Sequence, residues 1–275
     1  MAIANRLKKI EAEIGVFGGS GFYGFLADVE EVIVKTPYGA PSDKITVGLY
    51  EGKKVAFLPR HGKKHQYPPH KIPYLANIFA FKKIGVKKII APCAVGSLKK
   101  EIKPGDFVVC DQLVNFAFGR KDTFYDGRQV AHVSLAEPYC PDLRRVAIEK
   151  MRDMKIKHHD KGTILVVSGP RFSTKAESCF FAKQAGDIIN MTAYPEAVLA
   201  REQGLCYLNI GLVTDYDSGV FGGKNAKAVT AEDVAEVFKK NNEKMKEVIF
   251  KIIKKITVEQ TCRCAEHIGE AFIAQ

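Results

Sequence analysis

The chain has 275 residues, 46% of them hydrophobic and 10% aromatic, which is enough apolar material for a large core and too much for a disordered chain. No apolar run reaches the roughly 18 residues of a membrane span, and the opening Met1 to Glu13 lacks the apolar stretch of a secretory leader, so a cytoplasmic protein with no membrane partner is expected. The net charge of +11 comes from lysine pairs scattered from Lys8-Lys9 to Lys254-Lys255, a solvated surface rather than a binding stripe, and no nucleic-acid-binding signature accompanies them.

The first predicted strand, Ile14-Gly15-Val16-Phe17, runs into Gly18-Gly19-Ser20-Gly21-Phe22-Tyr23-Gly24. Gly19, Gly21 and Gly24 have the spacing of a dinucleotide fingerprint, but that motif needs a helix next and an acid at the end of the following strand. Phe25 to Val34 is too short and too β-branched for the helix, and Thr36 to Ser42 then breaks the chain. What survives is a glycine loop whose N–H groups and Ser20 hydroxyl suit a phosphate.

A hairpin is predicted from Ile45 to Tyr50 and Lys54 to Leu58, followed by Pro59-Arg60-His61-Gly62. Arg60 and His61 at a strand end suit an oxyanion, or else Arg60 pairs with a surface carboxylate and His61 faces solvent. His65 and His70 follow at spacing too irregular for a metal cluster. Pro73 to Ile84 has helical spacing, Val86 to Ala91 reads as a buried strand, and Cys93-Ala94-Val95-Gly96-Ser97 reads as a second small-residue turn. A strand Phe107 to Leu113 leads to a loop-rich stretch from Asn115 to Cys140, with Phe124-Tyr125-Asp126-Gly127 and His132 in it. Loops of that length are often lids or partner contacts.

From Asp142 the order becomes regular: a helix to about Lys155, a strand Gly162 to Ser168, the loop Gly169-Pro170-Arg171-Phe172, and a helix Thr174 to Gly186. The strand Asp187 to Met191 then meets a helix Pro195 to Gly204 through Thr192, a junction where ligands gather in α/β proteins. Glu196 there suits the positive helix end or a sugar hydroxyl, and the plainer reading is a capped helix start. A last strand, Cys206 to Val213, ends in Thr214-Asp215-Tyr216-Asp217, whose spacing puts both acids on one face. Thr230-Ala231-Glu232-Asp233 has capping-box character and opens a long amphipathic helix to about Ile256. The alternation predicts an α/β fold with a central, largely parallel sheet flanked by helices, as a single domain over 1–275 with a short cysteine-containing tail over about 257–275.

Seven cysteines, an odd number, fit a reducing compartment. In the tail Cys262-Arg263-Cys264, one intervening residue is short for zinc-ligand spacing and a bridge across it would be strained. Either these are two exposed thiols, or they form a disulfide with each other or with Cys140, Cys179 or Cys206, as intracellular proteins of hyperthermophiles do. The abundant Lys and Glu fit a thermophile.

The glycine loop, Arg60-His61-Gly62, the Gly96-Ser97 turn, Gly169-Pro170-Arg171-Phe172, Asn190-Met191-Thr192 and Thr214-Asp215-Tyr216-Asp217, in this order, closely resemble the 5′-methylthioadenosine phosphorylases of the trimeric branch of purine nucleoside phosphorylases. The match runs from about Ile14 to Val237. It implies a nucleoside phosphorylase-like fold, attack of inorganic phosphate on C1′ of methylthioadenosine, and release of adenine and 5-methylthioribose 1-phosphate in purine and methionine salvage. It implies no metal and no organic cofactor, phosphate being a co-substrate, and a homo-oligomer, either a trimer or a hexamer of two trimers. By motif, Ser20, Arg60, His61, Cys93, Ala94 and Thr192 surround phosphate, although the family commonly has Thr where this chain has Cys93, and a thiol is a poor donor. Met191 lies against ribose and Phe172 walls the base. Asp215 and Asp217 face adenine, at N7 and the 6-amino group respectively. Ala231 and Val234 shape an apolar 5′ pocket, with His132 supplied by a neighbouring subunit.

Paired acids suit a 6-amino group, which donates hydrogen bonds, and repel a 6-oxo group. They therefore speak against a 6-oxo purine phosphorylase. An NAD-dependent oxidoreductase built on the glycine loop lacks its helix and its acid. A basic nucleic-acid-binding protein that only retains the fold would bind in a salt-sensitive way without turnover.

Overall fold

The computed structural model describes residues 11–18, 24–127, 129–219 and 229–272. Eleven strands form one mixed sheet: β1 Ile14–Phe17, β2 Ala27–Val32, β3 Ile45–Tyr50, β4 Lys53–Leu58, β5 Lys88–Ser97, β6 Phe107–Val109, β7 Gln112–Phe116, β8 His158–His159, β9 Thr163–Val167, β10 Ile188–Asn190 and β11 Cys206–Asp215. Five helices flank it: α1 Tyr74–Lys83, α2 Pro141–Asp153, α3 Lys175–Lys183, α4 Ala193–Glu202 and α5 Ala231–Lys255. No helix among the described residues is long and apolar enough to cross a membrane.

Alternation along the strands sorts the two larger of three cores among the described residues. Ile89 and Ala91 of β5 and Ala56 and Leu58 of β4 pack with Ile78 and Phe81 of α1 and Leu199 of α4. Ile90, Val55 and Phe57 face the other way, onto Val146 and Met151 of α2 and Met245 and Ile249 of α5. Adjacent residues thus serve opposite faces, as the period of two requires. α5 opens with the predicted capping box: Thr230 accepts from the Asp233 N–H, and Asp233 accepts from the Thr230 N–H.

The sheet is built around β5. On one edge β11 runs parallel to it from Lys88 to Gly96. The other edge is divided, with β1 parallel along Lys88 to Ile90 and β10 antiparallel at Gly96 and Ser97. Between those two pairings, residues 91–95 meet a described strand on one side only. The sheet therefore opens at this point, between the ends of β1 and β10, and that opening becomes a cavity.

Two readings of the sequence need correction. The stretch Cys93 to Ser97 is strand rather than turn, because β11 pairs with it almost to its end. Small residues are required there: a Cβ on Gly96 would lie 3.0 Å from Asp215 Oδ1 and 3.1 Å from Asp217 Cα. The strand expected from Phe107 to Leu113 is two strands, β6 pairing with β11 and β7 with β9. The break falls at Cys110-Asp111, where the chain leaves one neighbour for another.

Candidate active site

A cavity of about 770 Å³ lies where the sheet opens, within the size range of small-molecule sites. It is lined from the ends of β1 and β4, from β5 at Cys93 to Gly96, from Asn190 to Thr192, from Thr214, Asp215 and Asp217, and from the first turns of α5. The sequence-predicted Arg60, His61, Cys93, Ala94, Phe172, Met191, Thr192, Asp215, Asp217, Ala231 and Val234 all line it, although they come from segments more than 170 residues apart. Ser20 lies outside the described residues, as do residues 19–23 of its glycine loop, while Gly18 lines the cavity. His132 does not line the cavity of its own chain; its N–H donates to Ala271 O at 2.9 Å.

One wall is basic. Arg60, 8% exposed, turns its fork onto the fully buried Glu196, with Nη2 2.9 Å from Oε2 and Nε on Oε1, while Nη1 donates to Pro92 O at 3.2 Å. Tyr207 donates to the same carboxylate at 2.8 Å, and Phe17 lies under the guanidinium at 4.7 Å. The carboxylate that Arg60 pairs with is buried rather than at the surface, and Arg60 also borders the cavity with donors to spare. Glu196 is a correction. It faces inward to Arg60 and Tyr207, not to a sugar, and the helix-start pattern alone gave no sign of that partner 136 residues away.

His61 Nδ1 lies 2.8 Å from Tyr67 O, a contact that only a donor N–H satisfies, and His65 stacks on the ring at 4.5 Å. Burial, followed by the Arg60 charge, pushes its pKa down to about 4. At neutral pH His61 is uncharged and presents Nε2 as an acceptor. Cys93 directs its thiol at Asn209 Oδ1, 3.5 Å away, and burial raises its pKa, so it stays a thiol. Thr192 precedes α4 without capping it; Asn190 Oδ1 approaches the N–H groups of Thr192 and Ala193 instead, at 3.4 Å. Arg120, which the sequence reading missed, braces this junction by donating to Met191 O at 2.9 Å and Ser168 O at 2.8 Å. A lone arginine in a long loop gave no signal for it.

The opposite wall is acidic. Asp215 ends β11 and accepts from Thr214 Oγ1 at 2.6 Å. Burial first, then the charge of Asp217, pushes its pKa up to about 6. Asp217 is 4% exposed, and burial raises its pKa as well, against hydroxyls of Ser178, Ser173 and Ser218 that favour the anion. The two acids share a wall for a reason other than strand alternation. β11 shifts register after Val213, and Asp217 lies beyond the strand at φ +46°, a left-handed conformation that Asp tolerates. Ser218 holds this turn to the start of α3 by donating to Ser173 O and Thr174 O.

A cavity with an anion-accepting wall on one side and an acid able to carry a proton near neutral pH on the other suits transfer of a group between an oxyanion and a basic leaving group. The family model of the phosphorylase superfamily matches residues 13–254. The chain belongs to the phosphorylase superfamily. Within this superfamily it is 49% identical over 261 residues to the S-methyl-5′-thioadenosine phosphorylase of Pyrococcus furiosus, covering 95% of this chain and 99% of that one. The crystal structure of a methylthioadenosine phosphorylase from an Antarctic soil metagenomic library superposes with a TM-score of 0.90 at 39% identity, covering 96% of this chain and 93% of that one. The Schistosoma mansoni methylthioadenosine phosphorylase in complex with adenine superposes at 0.87 with 34% identity, covering 94% and 97%. The mixed sheet flanked by helices is the superfamily's fold.

Proposed function

We propose that this chain is an S-methyl-5′-thioadenosine phosphorylase, cleaving methylthioadenosine with inorganic phosphate to adenine and 5-methylthioribose 1-phosphate. The observation that carries the reading is that Asp215, a buried carboxyl whose surroundings push its pKa up to about 6, lines the same cavity as Arg60 and His61. A phosphate oxygen forms the new bond to C1′. The C1′–N9 bond breaks with its electron pair passing to the base, and the Asp215 proton goes to N7, so that adenine leaves neutral. Asp217 accepts from the 6-amino group.

On the phosphate side, Arg60 supplies its remaining N–H donors. Neutral His61 accepts at Nε2 from the hydroxyl of a monoprotonated phosphate. Thr192 and the backbone N–H groups of Cys93 and Ala94 add donors, with Ser20 closing the site; the Cys93 thiol itself is directed to Asn209. Met191 and Phe172 contact ribose and base, and Ala231 and Val234 receive the methylthio group. Adenosine should also be accepted, because apolar pockets discriminate small groups by only about 1–3 kcal/mol. No cofactor enters any step.

We further read the chain as a single catalytic domain that works as a cytoplasmic homo-oligomer, a trimer or a pair of trimers, in which His132 completes a neighbour's 5′ pocket. Support comes from Phe118 and Val130, which lie within the long loop and are 74% and 54% exposed. The direct test is adenine release from methylthioadenosine with and without phosphate. Phosphate-dependent release is expected. Release without phosphate indicates a hydrolase, and cleavage of inosine in preference overturns the roles of the paired acids.

A further inference from the structure

At the start of β11, the end of that strand away from Asp215, four thiols from three parts of the chain converge. Cys140 precedes α2, Cys206 begins β11, and Cys262 and Cys264 belong to the C-terminal turn. Cys262 Sγ lies 3.6 Å from Cys140 Sγ and 3.3 Å from Cys206 Sγ, and all four sulfurs fall within 4.8 Å of one another. Cys140, Cys206 and Cys264 are buried. Cys179, the other candidate for a bridge, is exposed and outside the group. The expected disulfide is not found: all seven cysteines are free thiols. The separations are well beyond the roughly 2.05 Å of an S–S bond. They are close to the about 3.8 Å edge of a tetrahedron with metal–sulfur bonds of about 2.3 Å.

We propose that these four cysteines bind one zinc ion as a closed structural site. The spacing of Cys262 and Cys264 alone argued against zinc, but that argument considered one pair, and the fold supplies the second. Sulfur-only ligands select a soft or borderline tetrahedral ion over magnesium or calcium. Binding forms four Zn–S bonds and releases four thiol protons with no change of oxidation state, leaving a centre of charge −2. Its surroundings suit that charge: Cys140 sits at the positive N-terminus of α2, and Gln260 Nε2 donates to Cys206 Sγ at 3.3 Å.

Contacts other than sulfur already hold the segment in place. Thr261 Oγ1 donates to Asp142 Oδ2 at 2.6 Å, and Gln260 Nε2 also donates to Gly204 O at 3.0 Å. Gly204, at φ +64°, lies under the turn, where an added Cβ would come 3.4 Å from Ala265 Cα. The same C-terminal segment pairs with the long loop through Ala131 and Phe272.

The test uses the full chain purified under reductant without chelator, with metal measured by mass spectrometry. One zinc per chain is expected in the parent and in Cys179→Ser, and loss of the zinc in Cys262→Ser and Cys264→Ser. Because a ligand variant can misfold, the parent is also stripped with chelator and titrated with cobalt(II). One equivalent should produce thiolate-to-cobalt charge transfer and the intense visible bands of tetrahedral cobalt, and zinc should bleach them. A parent with no stoichiometric zinc and no such spectrum overturns the proposal. So does a reductant-treated parent in which the four cysteines are found in two disulfides.

Discussion

The two walls of the cavity are held in opposite ways. On the basic wall every charge is matched behind the surface: Arg60 is forked onto Glu196, Tyr207 donates to the same carboxylate, and the His61 N–H is committed to Tyr67 O. On the acidic wall two carboxyls share a buried turn with hydroxyls and no described salt-bridge partner, so both pKa values rise. A wall that only has to hold an anion can have its charge paired and still keep donors for the anion. A wall that must release a proton has to leave its acid undercompensated, because a salt-bridged carboxylate holds no proton at neutral pH.

The largest expected effect breaks the contrast at its acidic side. Asp215→Ala should lower kcat for phosphate-dependent adenine release by about 10²- to 10⁴-fold, the usual contribution of a general acid. The melting temperature should not fall, since a buried, weakly compensated acid contributes little to stability. A melt that drops with the rate would mean that Asp215 is structural and that the two walls do not differ. Glu196→Ala should do the reverse and lower stability by about 3–5 kcal/mol in denaturant unfolding, because it leaves Arg60 charged and buried without a partner.

The pH profile tests both walls at once. For free enzyme, kcat/KM should fall about tenfold per pH unit above about 6 as Asp215 loses its proton, and should fall again below about 4 as His61 gains one. Asp215→Asn should abolish the alkaline limb and leave the acid limb in place. The sign for stability follows the raised Asp215 pKa. Its contribution is fully present below the ordinary value of 3.8 and is lost as pH rises through about 6. The smallest effect belongs to neither wall. Val234→Ser should move preference from methylthioadenosine toward adenosine by about 1–3 kcal/mol at most, read as the ratio of the two kcat/KM values.

Much of the site was legible in short motifs. Arg60-His61, Asn190-Met191-Thr192 and Asp215 with Asp217 each carry their chemistry within a few residues, and each lines the cavity. What those motifs could not convey was the partner behind each group. Glu196 looked like a helix-start acid and Cys93 like a phosphate neighbour in a turn, and nothing in the sequence singled out Arg120. Their roles depend on contacts with Arg60, Asn209 and the Met191 carbonyl, made across 136, 116 and 71 residues.

The sequence by itself determined the places of the five helices, the hairpin of β3 and β4, the capped opening of α5 and the α/β class, because periodicity, capping and turn chemistry act over a few residues. Tertiary structure alone decided three things. It continued β5 through a small-residue stretch, because β11 pairs alongside it. It turned Asp217 onto the same wall as Asp215 through a register shift and a left-handed residue. It brought Cys140 and Cys206 to Cys262 and Cys264, a convergence set by where α2, β11 and the C-terminal turn pack rather than by any spacing along the chain.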